Sequence, residues 1–359
     1  MMKKKMQSLD VIEKEVASFF KRLKPYPRFY TESDEELVKL SLNLLNILKL
    51  EFGLANYFDT FITPDGLPFV FVTSLKWYMP HREYYLRLTS SGTSGQKTEN
   101  YWNRESLYRI DFVVRKTAEE LGMVSSTPTV YFIFGYDPKE VGDLGTAWSD
   151  ENLKQLAPEL ESFYLIRNDK LCWDEFISEF YRVVADGVPV RLIGFPALLW
   201  EFLVRIESVS LNPESLILTG GGWKKRESEA VTEFEFVEKC KEKLGVERVR
   251  IRDVYGFTEH GLPYFTCEYG NHHLHGYSKI FVRDLQTLKV LDYGQPGLMH
   301  VVSPYNTTTP TQSVLNNDLV AVYPNCPCGR GDYFKIFGRA GKVKLKMCAL
   351  KVDELLEKN

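Results

Sequence analysis

The chain has 359 residues, 44% of them hydrophobic, 26% charged and 14% aromatic, with a formal net charge of −3. This is globular composition, long enough for a large core or two to three subdomains, and the near-neutral charge excludes a broad basic field for nucleic acid. No run of about 18 apolar residues marks a membrane span, and Met1-Met2-Lys3-Lys4-Lys5-Met6 leads into Gln7-Ser8-Leu9-Asp10 rather than an apolar stretch, which reads as a cytoplasmic protein without a signal peptide.

Residues 8–24 and 32–51 read as amphipathic helices. In the second, Leu37, Leu40, Leu44, Leu45 and Leu48 form one apolar face behind the acid-rich start Thr31-Glu32-Ser33-Asp34-Glu35-Glu36. Tyr84-Tyr85-Leu86-Arg87-Leu88 reads as a strand running into Thr89-Ser90-Ser91-Gly92-Thr93-Ser94-Gly95-Gln96-Lys97-Thr98, and a helix with Leu107, Ile110, Val113 and Val114 on one face follows. Such a loop is either a flexible Gly/Ser turn or a phosphate cradle, in which glycines admit the anion closely and hydroxyls and N–H groups donate to it. It lacks the spacing of a Walker A loop.

Strand runs follow at 130–134, 190–193, 216–218 and 248–255, separated by helical stretches at 151–157, 173–185, 197–207 and 226–244. This alternation predicts an α/β fold with a largely parallel sheet over residues 1–264. From about Phe265 the pattern changes to short strands and turns, including 279–282, 297–302 and 319–323, so 265–340 reads as a β-rich subdomain and 341–359 as a short tail. Lys224-Lys225-Arg226 reads as a solvated helix start. Phe195, Trp200, Phe202, Tyr264 and Phe265 fit either plain core or the lining of an acyl tunnel. The cysteines, Cys172, Cys240, Cys267, Cys326, Cys328 and Cys348, are expected to be thiols or metal ligands rather than disulfides.

Four segments follow the Ser/Thr/Gly loop in a set order: Gly220-Gly221-Gly222 after a strand, Tyr255-Gly256-Phe257-Thr258-Glu259 after another, Asn316-Asn317-Asp318-Leu319 before a third, and Phe337-Gly338-Arg339 near the C-terminus. In this order the chain resembles the adenylate-forming superfamily, and Y-G-x-T-E after a strand is its most specific piece. Gly220-Gly221-Gly222-Trp223-Lys224, Cys326-Pro327-Cys328-Gly329-Arg330 and Met347-Cys348-Ala349 narrow the resemblance to the acyl-protein synthetase family, with phenylacetate–CoA ligases as more distant relatives. Lys97 stands one position earlier than the family's usual lysine.

The resemblance implies an acyl-CoA synthetase-like fold and an ATP- and Mg²⁺-dependent ligase that activates a fatty or similar carboxylic acid as acyl-AMP. Ser90, Ser91, Gly92, Thr93, Ser94 and Gly95 would hold the phosphates, with Lys97 balancing their charge. Gly220, Gly221 and Gly222 would lie on the adenine side, and Tyr255, followed by Gly256, would pack on adenine. Thr258 would meet the α-phosphate region, Glu259 would hold Mg²⁺, Asp318 would accept from the ribose hydroxyls, and Arg339 would contact ribose or phosphate. Singly, Glu259 and Asp318 could equally be solvated loop carboxylates.

Only twenty residues follow Arg339, too few for the mobile C-terminal domain of most adenylate-forming enzymes, so that domain is expected to be lacking. In the acyl-protein synthetase family a cysteine near the C-terminus takes the acyl group and passes it to a partner protein such as a reductase or carrier. Cys348 matches by position, and Lys342, Lys344, Lys346 and Lys351 surround it; read without the family, it fits a small core residue. Cys267, His273, Cys326 and Cys328 make a donor set suited to structural Zn²⁺, with His272 and His275 as competing ligands and unligated cysteines as the alternative. Two other readings stay open: adenylation with an external thiol acceptor, such as CoA or a carrier protein, and a non-catalytic binding module.

Overall fold

The computed structural model describes residues 9–22, 32–51, 61–71, 84–89, 99–142 and 144–340. The chain falls into two compact units, one of residues 1–77 with 276–359 and one of residues 78–275.

The first unit opens with α1 (Leu9–Arg22) and α2 (Glu32–Glu51). The expected leucine face of α2 is buried, as are Ile12, Val16 and Phe19 of α1. β1 (Phe61–Ile62) and β2 (Pro68–Phe71) then form a small hairpin that the periodicity did not reveal.

The second unit begins with β3 (Leu86–Thr89) and β4 (Glu99–Trp102), an antiparallel pair. Next come α3 (Arg104–Glu120), β5 (Thr129–Tyr136), α4 (Pro138–Val141), α5 (Gly145–Asn152), β6 (Glu159–Arg167), β7 (Lys170–Leu171) and α6 (Trp173–Ala185). The rest are β8 (Val190–Gly194), α7 (Pro196–Arg205), β9 (Leu216–Gly220), α8 (Glu233–Leu244), β10 (Ile251–Tyr255), β11 (Tyr264–Phe265) and β12 (His272–His273).

The main sheet has the order β11-β10-β9-β8-β5-β6-β7. Its five inner strands are parallel, as the alternation predicts, and β11 and β7 are antiparallel edges. One face carries Val130, Phe132, Phe134, Leu192 and Ile217 into a core with Phe176, Phe180, Phe202 and Cys240 from α6, α7 and α8. Phe202 is therefore plain core, and Tyr264 and Phe265 are buried strand residues.

Some boundaries move for local reasons. The helix expected at 226–244 begins at Glu233, where Thr232 and Glu235 close a capping box. The helix expected at 151–157 is α5, displaced toward the N-terminus and followed by a tight turn at Leu153–Leu156. The strand expected at 248–255 is shortened to Ile251–Tyr255 by a helical turn at Arg248–Arg250.

The first unit is completed by β13 (Lys279–Arg283), β14 (Gly297–Val302), β15 (Ser313–Tyr323) and β16 (Tyr333–Arg339). The start of β15 runs parallel to β2 and its later part pairs antiparallel with β16, while β14 lies between β15 and β13.

A buried polar chain ties the β1–β2 hairpin to this sheet. The Arg283 guanidinium, fully buried, donates to both Asp65 oxygens at 2.7 and 3.1 Å and to the Leu288 carbonyl at 2.9 Å. Its Nε–H donates to His300 Nδ1 at 2.8 Å, so the imidazole proton sits on Nε2 and is donated to Ser313 Oγ at 2.8 Å, and the Ser313 hydroxyl donates to the Pro68 carbonyl at 2.6 Å. Burial resists ionisation of Asp65, but hydrogen bonds from Arg283 and Thr63 and the Arg283 charge outweigh it and hold the carboxyl at about 2.

His300 is pushed down to about 3 by burial and by the Arg283 charge. The folded protein thus keeps His300 neutral while the unfolded chain takes up a proton near pH 6.5. This contribution to stability is complete above about pH 6.5 and falls as the pH drops toward 3. In urea titrations from pH 7 to pH 4, His300→Gln is expected to reduce the pH slope of unfolding by about one proton, or about 1.4 kcal/mol per pH unit.

Candidate active site

The Ser/Thr/Gly loop, with Ser90, Ser91, Gly92, Thr93, Ser94, Gly95 and Lys97, lies outside the described residues, but both strands flanking it are placed. Thr89 pairs with Glu99 and Leu88 with Asn100 across the β3–β4 ladder. The expected strand–loop–helix is therefore strand–loop–strand: buried Asn100, Tyr101 and Trp102 continue as β4, and α3 starts only after Asn103, whose side chain accepts from the Ser106 N–H as an N-cap. In the chain, β4 thus stands between the loop and α3.

Thr89 also bridges to Leu144, at the start of α5. A Cβ on Gly145 would lie 3.2 Å from the Thr89 carbonyl and 3.3 Å from Thr258 Oγ1. Glycine at 145 therefore lets the last residue before the loop and the Thr258 hydroxyl share one small space.

The Y-G-F-T-E segment leaves β10 at Tyr255 and forms a single turn. The Phe257 carbonyl accepts from the N–H groups of His260 at 3.1 Å and Gly261 at 2.9 Å. The next two carbonyls accept from one side chain: Asn100 Nδ2 donates to the Thr258 oxygen at 2.8 Å and the Glu259 oxygen at 3.2 Å. Glu259 itself is buried, 7% exposed. A carboxylate at Glu259, next in the chain to the Thr258 hydroxyl, supplies hard oxygen of the kind that suits Mg²⁺.

Gly220, Gly221 and Gly222 continue β9, the parallel neighbour of β10, with Gly220 beside Val254. Gly221 and Gly222 have φ of +73° and +65°, which turns the chain sharply at the strand's carboxyl end. Tyr255 ends β10 at the same edge, where parallel sheets commonly bind ligands.

Near Tyr255, Thr219 and Asp253 escaped the sequence reading, which took His272 only as a competing metal ligand. The Thr219 hydroxyl donates to Asp253 Oδ1, and His272 Nε2 lies 3.0 Å from Asp253 Oδ2. The His272 ring meets Tyr255 edge-on at 6.3 Å. Asp253 stands two residues before Tyr255, on the same face of the strand, and that spacing was the available signal.

Behind the turn, Phe257, His260, Tyr264 and His275 stack in series, with His260 Nε2 3.1 Å from the Tyr264 hydroxyl. Burial, and secondarily His275, drives the His260 imidazole well below its ordinary value, and burial holds His275 at about 4. Both are therefore neutral packing groups at pH 7.

Asp318 and Arg339 belong to the first unit. Asp318 lies inside β15, not ahead of a strand as expected, because β15 begins at Ser313. It is paired in register with Arg339, whose Nε–H donates to Asp318 Oδ1 at 3.1 Å, while Asn316 donates to Oδ2 at 3.1 Å.

Of the four residues read as metal ligands, Cys267 and His273 belong to the second unit and Cys326 and Cys328 to the first. Each pair sits on a tight turn. The Cys267 N–H donates to the Asn271 carbonyl and the Cys326 N–H to the Gly331 carbonyl. By residue type, three thiols and one imidazole are a Cys₃His set of the kind that suits structural zinc. Cys348 and the lysines around it lie outside the described residues.

The sequence matches the model of the family "Acyl-protein synthetase, LuxE" over residues 75–357. The chain belongs to this family. Two similar relatives are long-chain-fatty-acid–luciferin-component ligases. That of Aliivibrio fischeri is 22% identical, over 76% of this chain and 72% of its own length; that of Vibrio harveyi is 25% identical, over 75% and 71%.

Among solved structures, 2-hydroxyisobutyryl-CoA ligase in an open conformation is similar with a TM-score of 0.57 and 14% identity, covering 92% of this chain and 68% of that one. A long-chain-fatty-acid–CoA ligase of Archaeoglobus fulgidus is similar with a TM-score of 0.52 and 14% identity, covering 78% of this chain; the present chain spans 54% of that ligase's length. These likenesses establish the adenylate-forming fold. As a member of the acyl-protein synthetase family, the chain is an ATP-dependent ligase. Among the described residues no helix is long and apolar enough to cross a membrane.

Proposed function

We propose that this ligase activates a fatty or similar carboxylic acid as acyl-AMP, moves the acyl group to Cys348, and delivers it to a partner protein such as an acyl reductase or carrier. One observation carries the reading: the Thr258–Glu259 turn and Thr89, the last residue before the Ser/Thr/Gly loop, meet around Gly145 in a chain of this family. The names of the relatives, fatty-acid ligases acting on a luciferin component, support the substrate class and the protein acceptor.

In the first step a carboxylate oxygen attacks the α-phosphorus and the bond to the β-phosphate breaks, so pyrophosphate leaves with the electron pair. The loop hydroxyls and N–H groups would hold the phosphates, Lys97 would balance their charge, and Thr258 would donate near the α-phosphate. Tyr255 and Gly220, Gly221 and Gly222 would border adenine, and Asp318, fixed by Arg339 and Asn316, would accept from the ribose. Glu259 would hold Mg²⁺, which when bound offsets the repulsion between anionic nucleophile and nucleotide.

In the second step the Cys348 thiolate attacks the acyl carbon, the carbon–oxygen bond to AMP breaks, and AMP leaves as the anion. Positive charge from Lys342, Lys344, Lys346 and Lys351 favours that thiolate. The test is intact mass after incubation with ATP, Mg²⁺ and straight-chain and aryl acids, without CoA. A hydroxylamine-labile acyl adduct on Cys348 is the expected result; turnover with no adduct under any acid would transfer the acceptor role to an external thiol.

For Cys267, His273, Cys326 and Cys328 we propose structural zinc. Metal analysis of the purified protein is expected to find about one zinc per chain. Cys267→Ser should lose it and lower the melting midpoint by on the order of 10 °C, since a lost metal site removes several kcal/mol from a domain of this size. Metal-free protein with an unchanged midpoint in the variant would mean that the four side chains are plain packing.

A further inference from the structure

We propose that Asn100 is a positioning residue for adenylate formation, the tie that holds the Thr258–Glu259 turn to the β3–β4 hairpin. The inference rests on the nucleotide role proposed above for that turn.

The turn itself creates the need. Phe257 to Gly261 makes one helical turn, in which the Phe257 carbonyl is satisfied internally by the N–H groups of His260 and Gly261. A helix would continue and supply N–H donors to the next carbonyls, but Gly261, at φ +73°, turns the chain away. The Thr258 and Glu259 carbonyls therefore require donors from elsewhere, and a buried carbonyl is rarely left without one. Both receive theirs from the same amide, since Asn100 Nδ2 carries two hydrogens and reaches the two oxygens at 2.8 and 3.2 Å. Two bonds from one planar group to consecutive carbonyls hold the turn against rotation as well as translation.

The origin of that amide matters as much as its targets. Asn100 is fully buried and stands on β4, two positions after the loop's last residue, Thr98. Its ladder partner Leu88 precedes Thr89 at the loop's other end. A shift of the hairpin therefore moves the amide, and with it the main chain that carries the Thr258 hydroxyl and the Glu259 carboxylate. Asparagine suits the position because serine is too short to span the gap and aspartate would set a carboxylate against two carbonyl oxygens.

The test uses ATP–pyrophosphate exchange on the full-length protein, scaled to the folded fraction, with acid and Mg²⁺ concentrations varied. Asn100→Ala is expected to lower the exchange kcat by about 10- to 100-fold, the range expected for misplacement on the order of an ångström. The Mg²⁺ concentration for half activity should rise, while KM for the acid should stay within about threefold. Asn100→Ser carries the same expectation and serves if the alanine variant does not fold. Asn103→Ala, which removes the neighbouring N-cap of α3, is the control for lost stability and should leave kcat per folded molecule unchanged.

Wild-type kcat and Mg²⁺ dependence in both Asn100 variants would overturn the proposal, as would an equal loss in Asn103→Ala. Absence of exchange in the wild-type protein with every acid tried would instead overturn the nucleotide reading itself.

Discussion

Glu259→Gln is expected to lower ATP–pyrophosphate exchange by about 10²- to 10³-fold, the scale on which a single transition-state charge contact acts. The substitution preserves the size of the side chain and removes only its anionic charge. The turn keeps its main-chain tie to Asn100 in this variant, so the fold is expected to stay intact. The melting midpoint should therefore move little while activity collapses, and raising the Mg²⁺ concentration should recover part of the rate. Exchange at the wild-type rate would show that this buried carboxylate serves the turn and not the metal, and the search for the Mg²⁺ ligand would move elsewhere in the site.

Cys348→Ser should separate the two proposed half-reactions. Pyrophosphate exchange is expected to persist within about threefold, since the thiol takes no part in adenylation. Acyl transfer to a partner should fall by at least about 10³-fold, because a serine hydroxyl has almost no anionic form at pH 7 whereas a thiol beside lysines does. Radiolabelled acid followed on gels reads both the self-acylated chain and the acceptor. Full transfer by the variant would eliminate the internal thioester and favour direct attack by CoA or a carrier-protein thiol on the adenylate.

The elements that were legible in the sequence share one property: their burial is periodic and local. α2 at Glu32–Glu51, α6 at Trp173–Ala185 and β14 at Gly297–Val302 were read to the residue, because one face or both meet the core along their whole length. β6, Glu159–Arg167, was missed. Its first three residues are exposed and only Leu165 is fully buried, so its hydrophobic pattern is diluted by charge. β4 was missed because four residues between a Gly/Ser loop and a helix carry too little periodicity to count as a strand.

The chemistry divides along the same line. Residue types in order, from Ser90 to Arg339, were enough to point to an adenylate-forming ligase, since a phosphate loop, an adenine-side turn and a metal carboxylate are each short contiguous motifs. What positions them is not contiguous. Asn100 reaches across 158 and 159 residues to its two carbonyls, and Arg283 reaches across 218 to Asp65. Gly145 acquires its meaning only beside Thr89 and Thr258. Such contacts leave no periodic trace, because each depends on one distant partner. The sequence alone determined the family, the parallel α/β sheet and the candidate chemical groups; only tertiary packing decided which buried amide satisfies which carbonyls, and so how the Thr258–Glu259 turn is held at the sheet's edge.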